Sequence, residues 1–281
     1  MLRRYPKNRK ARSTPPRSAR GPRRPYDTDL TDDQWARVAP LLSAKRSDPD
    51  RREVLNAVLY LLRTGCSWRL LPHDFPPHGT VADYYRMWQA DGSIDRTHDE
   101  LRRQVRLAAG RDPEPSAGCL DSQSVKTAEQ GGVKGFDAGK KVKGRKRHLL
   151  VDTMGLIVAV VVHSAGVQDY DGAKPLLAGA RGTSPRLQHI WADGVYERRG
   201  LPAWVSAECG WTLEVVKRSA EAKGFVVQPR RWVGERTFAW PGRYRRLSRD
   251  YERLTRTSEM MVKTSMIHIM ARRLDKAAQT A

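Results

Sequence analysis

Apolar residues recur at helical spacing through the first part of the chain and at strand spacing through the second. In RREVLNAVLYLLRTG, Val54, Leu55, Val58, Leu59 and Leu62 share one helical face, and Gly65 can stop the helix. Ahead of it, Thr31 is placed to cap DDQWARVAPLL, which carries acids in its first turn. TVADYYRMWQADG predicts a third helix, with Thr80 and Asp83 at capping-box spacing and Gly92 at its end. IDRTHDELRRQVRLAAG predicts a fourth. This succession predicts a small all-helical module over residues 26–108, compatible with a helix-turn-helix. Arg86, on the third helix, is a candidate phosphate contact.

The pattern breaks at 109–116, AGRDPEPS, which reads as a linker. Over 117–281 the elements become mixed. GCLDSQSV predicts a strand, and RHLLVDTMGLIVAVVVHSAG predicts two strands joined by a tight turn near Gly155. LQHIWADGVY and WTLEVVKR read as further strands, and DGAKPLLAGA and RRGLPAWVSAEC as helices. From Pro229 onward the chain reads as helical. A strand meander followed by alternating strands and helices predicts an α/β fold, a mixed sheet flanked by helices.

Charge changes the picture. The 281 residues carry a formal net charge of +21, a field that attracts polyanions, of which nucleic acid is the commonest large one. Residues 1–25 contain no acid and many Arg, Lys and Pro, the composition of a disordered basic tail. The longest apolar run, LIVAVVV at 156–162, falls far short of the ~20 residues of a membrane span and fits a buried strand. No membrane partner is expected. The cysteines Cys66, Cys119 and Cys209 are widely separated, so neither a zinc site nor a disulfide framework is expected.

Candidate chemistry rests on carboxylates. Asp121 in CLD and Asp193 in HIWAD both follow apolar strand residues, and sites in open α/β sheets gather outside such strand ends. Paired carboxylates repel unless a cation lies between them, and Mg²⁺ is a hard cation that takes oxygen ligands. Glu235, in RRWVGERTFAW near the start of a helix, is the candidate third acid. The run GKKVKGRKRH, with Lys141, Lys143, Arg145, Lys146 and Arg147, predicts a ribbon or loop tracking a phosphate backbone. Arg243, Arg245 and Arg246 in GRYRRLSRDYERL form a second such group. Asp152 reads as a turn former, Asp169 and Asp171 as caps of the following helix, and His148 and His163 as packed strand residues.

The stretches LTDDQWARVAPLL, GCSWRLLPHDFPPHGTVADYYRMW, LDSQSVKTAEQGGVKGFDAGKKVKGRKRHLLVDTMG, VQDYDGAKPLL, WADGVY and RRWVGERTFAWPGRYRRLSRDYE resemble the IS5 group of bacterial insertion-sequence transposases, within the IS4-like DDE type. The resemblance spans about residues 26 to 274. It implies a ribonuclease-H-like catalytic domain with Asp121, Asp193 and Glu235 as an acidic triad holding two divalent metal ions, Mg²⁺ with Mn²⁺ as a substitute. It also implies double-stranded DNA as partner (element terminal repeats and target), a homodimer on DNA, and a nucleoid-associated place in the bacterial cytoplasm. The related signature around the glutamate, Tyr-x2-Arg-x3-Glu-x6-Lys, places Arg231 at its Arg position but finds Gln228 and Gly242 at the Tyr and Lys positions. Arg230, Arg236 or Arg243 is then expected to supply the missing cation. Gly234 and Pro241 also stand where helix formers are usual, at helix-interior costs of roughly 1 and 3 kcal/mol. They leave open a second reading, a catalytically decayed or repurposed DNA-binding protein.

Overall fold

The computed structural model describes residues 23–44, 50–129, 132–216 and 232–280. Most of the basic tail, and Gln228, Arg230 and Arg231, lie outside the described residues.

The helical part comprises α1 (Asp32–Val38), α2 (Arg51–Thr64), α3 (His78–Ala90) and α4 (Ser93–Ala108). Thr31 caps α1 through a full capping box with Gln34. Asp50 caps α2, which ends at Gly65 with φ 75°, a left-handed value that glycine adopts without strain. α3 differs from expectation, because it begins at His78, directly after Pro77. Thr80 therefore lies inside the helix rather than capping it. Proline, with fixed φ and no N–H, suits the entry to a helix and cannot extend one backward.

The sheet comprises β1 (Ala117–Lys126), β2 (Gly135–Asp137), β3 (Val142–Asp152), β4 (Ile157–Ser164), β5 (His189–Ala192) and β6 (Thr212–Val215). β3 pairs antiparallel with β1 on one side and with β4 and the short β2 on the other. β1 then pairs parallel with β5, and β5 parallel with β6. This is a ribonuclease-H-like mixed sheet. The helices α5 (Asp169–Arg181) and α6 (Leu201–Cys209) cover one face. Their Leu176, Leu177, Leu201 and Val205 pack with Leu120, Leu150, Ile190 and Ala192 of the strands. Period-two alternation sends the intervening residues Cys119, Leu149, Val151 and Trp191 to the opposite face.

That second face is covered by α7 (Trp232–Gly242) and α8 (Thr255–Thr280). The 26 residues of α8 are buried at Met261, Met266, Ile267 and Met270, within a single apolar cluster that also holds Leu55, Leu59 and Trp88 of the N-terminal helices. The apolar stretch MMVKTSMIHIMARRL is thus covered by its own chain, and α8 joins the helical part to the sheet. A buried ion pair, Arg106 on α4 with Asp152, adds a polar tie at the β3–β4 turn, where Asp152 Oδ1 also accepts from the N–H groups of Met154 and Leu156. Among the described residues no helix is long and apolar enough to cross a membrane.

Candidate active site

β1 and β5 run parallel with Gly118 beside Ile190 and Cys119 beside Trp191. The pairing ends there; Asp121 and Asp193 lie two residues beyond Cys119 and Trp191, and the charges of both act on the buried Tyr196 hydroxyl. Alternation puts Asp121 on the α7 side of the sheet with Cys119. Asp121 lies within β1, which continues to Lys126, and not near its end as expected. Asp193 ends β5, and its Oδ1 accepts from the Val195 N–H at 2.9 Å. Asp121 Oδ1 accepts from the Ser122 N–H at 2.7 Å.

The other carboxyl oxygen of Asp121 lies under α7. A Cβ added at Gly234 would stand 3.1 Å from Asp121 Cβ and 3.2 Å from Oδ2. The glycine that looked like a defect in a helix is therefore where the helix packs closely on the Asp121 side chain. Glu235 follows it in the first turn, exposed. α7 is docked further along by Thr237 Oγ1, donating to the Gly155 carbonyl at 2.9 Å, and by Arg236, donating to the Met154 carbonyl at 3.0 Å. Pro241 occupies the last turn, so it marks the end of α7 and does not interrupt it.

Hard oxygen donors from two adjacent strands, with a third carboxylate carried by the helix laid over them, are the donor set a divalent cation needs. Among the described residues no three His, Cys, Asp or Glu side chains already converge as a ready-made cage.

A buried polar network supports Asp121 from the other face, and sequence reasoning missed it. Ser122 Oγ donates to Asp169 Oδ1 at 2.7 Å, and Lys146 Nζ lies 3.0 Å from the same oxygen and 3.3 Å from Asp137 Oδ2. Lys140 Nζ donates to the carbonyl and hydroxyl of Ser122 at 2.9 and 3.0 Å. Burial opposes ionisation of Asp169, but the Ser122 hydrogen bond and Lys146 outweigh it and hold the carboxyl below its ordinary value. Asp137 is likewise opposed by burial, yet Ser124, the Lys140 N–H and Lys146 hold it at about 2. Tyr196 is buried beside this network, and burial, then the charges of Asp169, Asp121 and Asp193, push its hydroxyl well up. The signal was present in VQDYDGA, but Asp169 at a helix start reads as a cap until its contacts are known.

The basic run corrects an expectation. Arg145, Lys146 and Arg147 are buried, because β3 lies between β1 and β4 and is not an edge. Arg145 pairs with Asp250 and donates to the carbonyls of Val133, Glu252 and Arg253. Arg147 donates to the Leu247 carbonyl at 2.8 Å. These three side chains tie elements together and present no charge to a phosphate backbone. Arg246 is corrected in the same way: it is buried, pairs with Glu252 at 2.8 Å and donates to the Cys66 carbonyl. Lys141, Lys143, Arg243 and Arg245 are exposed. Arg86 is exposed beside Asp83, and Arg236 lies between the rings of Trp232 and Trp240.

The histidines His148 and His268 are buried and held neutral, each lowered to about 3, by burial first and then by His163 for the former and by Arg272 and Arg63 for the latter. In the unfolded chain they titrate near ~6.5. Their folded values are depressed, so stability is full above that pH and falls as pH drops toward 3, by about 1.4 kcal/mol per pH unit for each. Glu252 and Glu259, raised by burial, take up protons in the folded state before the unfolded chain does and offset part of this loss as pH falls. The melting temperature is expected to fall between pH 7 and 5.5, and to fall less in a His148→Gln/His268→Gln variant. An equal fall in both would show that other groups carry the dependence.

Comparison with known proteins adds the family. Residues 112–270 match the family model described as "Transposase DDE domain", and residues 30–98 match "Putative transposase of IS4/5 family". Over 113 residues the chain is 31% identical to the "Insertion element IS402 uncharacterized 16.2 kDa protein" of Burkholderia cepacia, across 36% of this chain and 76% of that one. No solved structure matches.

Proposed function

Because the chain belongs to the DDE transposase family, of the IS4/5 kind, we propose that it binds the ends of an insertion element, hydrolyses DNA there and transfers the resulting 3′-OH ends to target DNA. The observation that supports this reading is the β1–β5 register, with Asp121 and Asp193 each two residues past its last pair and Gly234 of the Glu235 helix packed on Asp121.

DDE transposases generally use divalent metals. Asp121, Asp193 and Glu235 would hold two Mg²⁺ ions, or Mn²⁺ in their place; such ions stabilise charge on phosphoryl oxygens and lower the pKa of water. The chain's own task is to position and to exclude alternatives. Gly234 lets α7 sit directly on Asp121. Asp169 and Lys146 fix Ser122, and through it the strand beside Asp121. No Ser or Tyr nucleophile is needed, since water and then a DNA hydroxyl attack the phosphodiester.

Exposed cations give DNA its path. A cleft of about 360 Å³ is lined by Lys126, Lys134, Lys141, Lys143 and Arg249, with Glu129 the one carboxylate among its described lining residues. β1 leads from Asp121 to Lys126, five residues or about 17 Å away, close to five base-pair steps. Arg245 and Arg86 are further phosphate contacts in this reading, and Arg231 orients a phosphate near Glu235. A homodimer holding two element ends, in the bacterial cytoplasm at the nucleoid, completes the proposal.

The test is strand cleavage of a labelled duplex carrying the element's terminal repeat. Wild type is expected to cut at the repeat end with Mg²⁺ or Mn²⁺ and not with EDTA, and Glu235→Gln to bind without cutting. Specific binding without cutting by the wild type would select the decayed or repurposed reading. Gly234→Val provides an independent check. The added side chain crowds the Asp121 carboxylate, so the carboxylate or α7 shifts, and cleavage is expected to fall about 10- to 100-fold, since a displacement of ~1 Å at a site costs about that much. Undiminished cutting by Gly234→Val would mean that the contact of α7 with Asp121 plays no part in catalysis.

A further inference from the structure

Where α2, α7 and α8 meet, a cleft of about 340 Å³ is lined by Arg63, Arg243, Arg272, Arg273, Lys276 and Trp240, together with Tyr244 and Ile269. Five cations from three separate parts of the chain converge there, and no carboxylate is among the described lining residues. Neutral groups hold the guanidinium groups in place. Arg63 donates to the Arg243 carbonyl at 2.8 Å and lies over the Tyr244 ring, Arg272 donates to the Asp27 carbonyl, and Arg273 stacks 4.1 Å from the Trp240 ring centroid. These partners orient Arg63, Arg272 and Arg273 without cancelling their charge. Arg273 shows the crowding: burial, then the nearby Arg236, lowers its pKa.

The cleft is continuous with the catalytic helix. Along α7, Trp232, Arg236 and Trp240 recur every four residues, and Arg236 stacks between the two rings at 4.1 and 5.1 Å. Arg273 extends that ladder to α8. Trp240 is five residues beyond Glu235, about 7.5 Å along the helix axis. On one DNA strand that distance is about two nucleotide steps.

We propose that this cleft is a second DNA subsite, which grips backbone phosphates about two nucleotides from the bond presented to Glu235. It rests on the transposase reading for the identity of the polyanion. In this arrangement the strand leaving the carboxylates runs along the Trp–Arg ladder of α7 and enters the cleft. Arg63 then gives the N-terminal helices a share in holding DNA at the catalytic helix, so the helical part contributes to the site and not only to end recognition.

The test is equilibrium binding of the full chain to a labelled 30-base-pair duplex of arbitrary sequence, without divalent metal, over a range of salt. Phosphate contacts are independent of sequence, and each contributes about 0.9 to the slope of log K against log salt. Arg243→Gln/Arg273→Gln is expected to reduce that slope by about two, and Arg243→Lys/Arg273→Lys to restore it. Arg111→Gln/Arg181→Gln removes the same charge from exposed positions outside the cleft and is expected to leave the slope near the wild-type value. Circular dichroism confirms folding of each variant. A slope unchanged in the cleft variant, or reduced equally in the control, overturns the subsite while leaving the transposase reading intact. A wild-type chain that fails to bind the duplex at all overturns both.

Discussion

Asp121→Asn is expected to reduce strand cleavage by about 10³-fold or more while the chain stays folded and bound to DNA. The substitution keeps the shape of the side chain. Its amide oxygen can still accept from the Ser122 N–H, the bond that Asp121 Oδ1 makes at 2.7 Å. What it removes is one negative charge from the proposed cation site. Charge stabilisation there is worth several kcal/mol, and each ~1.4 kcal/mol is tenfold in rate. DNA binding is expected to hold or tighten, because an anion is lost beside a phosphate. Cleavage and binding measured on one preparation separate these effects. Cutting within tenfold of wild type would remove Asp121 from the reaction, and with it the register argument on which the site is built.

Arg145→Met is expected to cost about 3–5 kcal/mol of stability, because it strands a buried carboxylate without its cation. Arg145 and Asp250 are both fully buried, with Nη1 3.0 Å from Oδ1. Asp250 would keep the Ser258 hydroxyl and the Glu252 N–H but lose its paired guanidinium. Arg145 also holds the carbonyls of Val133, Glu252 and Arg253, so the loop after α7 loses its anchor on the sheet. At ~2–4 °C per kcal/mol for a chain of this size, the melting temperature is expected to fall by roughly 10 °C. Lys141→Ala, four residues earlier in the same basic run, is exposed and is expected to stay within ~0.5 kcal/mol. Lys141→Ala/Lys143→Ala is expected instead to lower the salt slope of DNA binding by about two. If the melting temperature of Arg145→Met matches wild type, the buried pair contributes nothing to stability and the structural role assigned to this arginine is wrong.

The contrast between Arg145 and Lys141 shows where sequence reasoning stops. Both are cations in GKKVKGRKRH, and a linear reading treats them alike. Burial depends on whether a strand is central or at an edge, which is settled by pairing partners far away in the chain. Once β3 is placed between β1 and β4, alternation divides the run: Arg145 and Arg147 turn toward the segment after α7, and Lys146 turns toward Asp169. The same logic applies to Gly234. As a residue in a helix it costs stability; as the point of contact between α7 and Asp121 it is what the packing requires. Asp169 was legible as a helix-start acid, but its bonds to Ser122 and Lys146 join residues 47 and 23 positions away.

The chain's own residues determined a great deal locally. The apolar period of α2, the cap at Thr31, the β-branched run of β4 and the two aspartates that follow apolar strand residues are all written in short stretches, because helix and strand periodicity are short-range physics. So was the family resemblance, carried by ordered motifs. Tertiary structure alone decided which faces these elements share. It decided that α8 buries its apolar side against both the sheet and the N-terminal helices, that α7 packs on Asp121, and that cations from α2, α8 and the segment after α7 close around one cleft. Each of these joins residues tens to hundreds of positions apart, brought together by strand pairing and by the burial of one apolar surface against another.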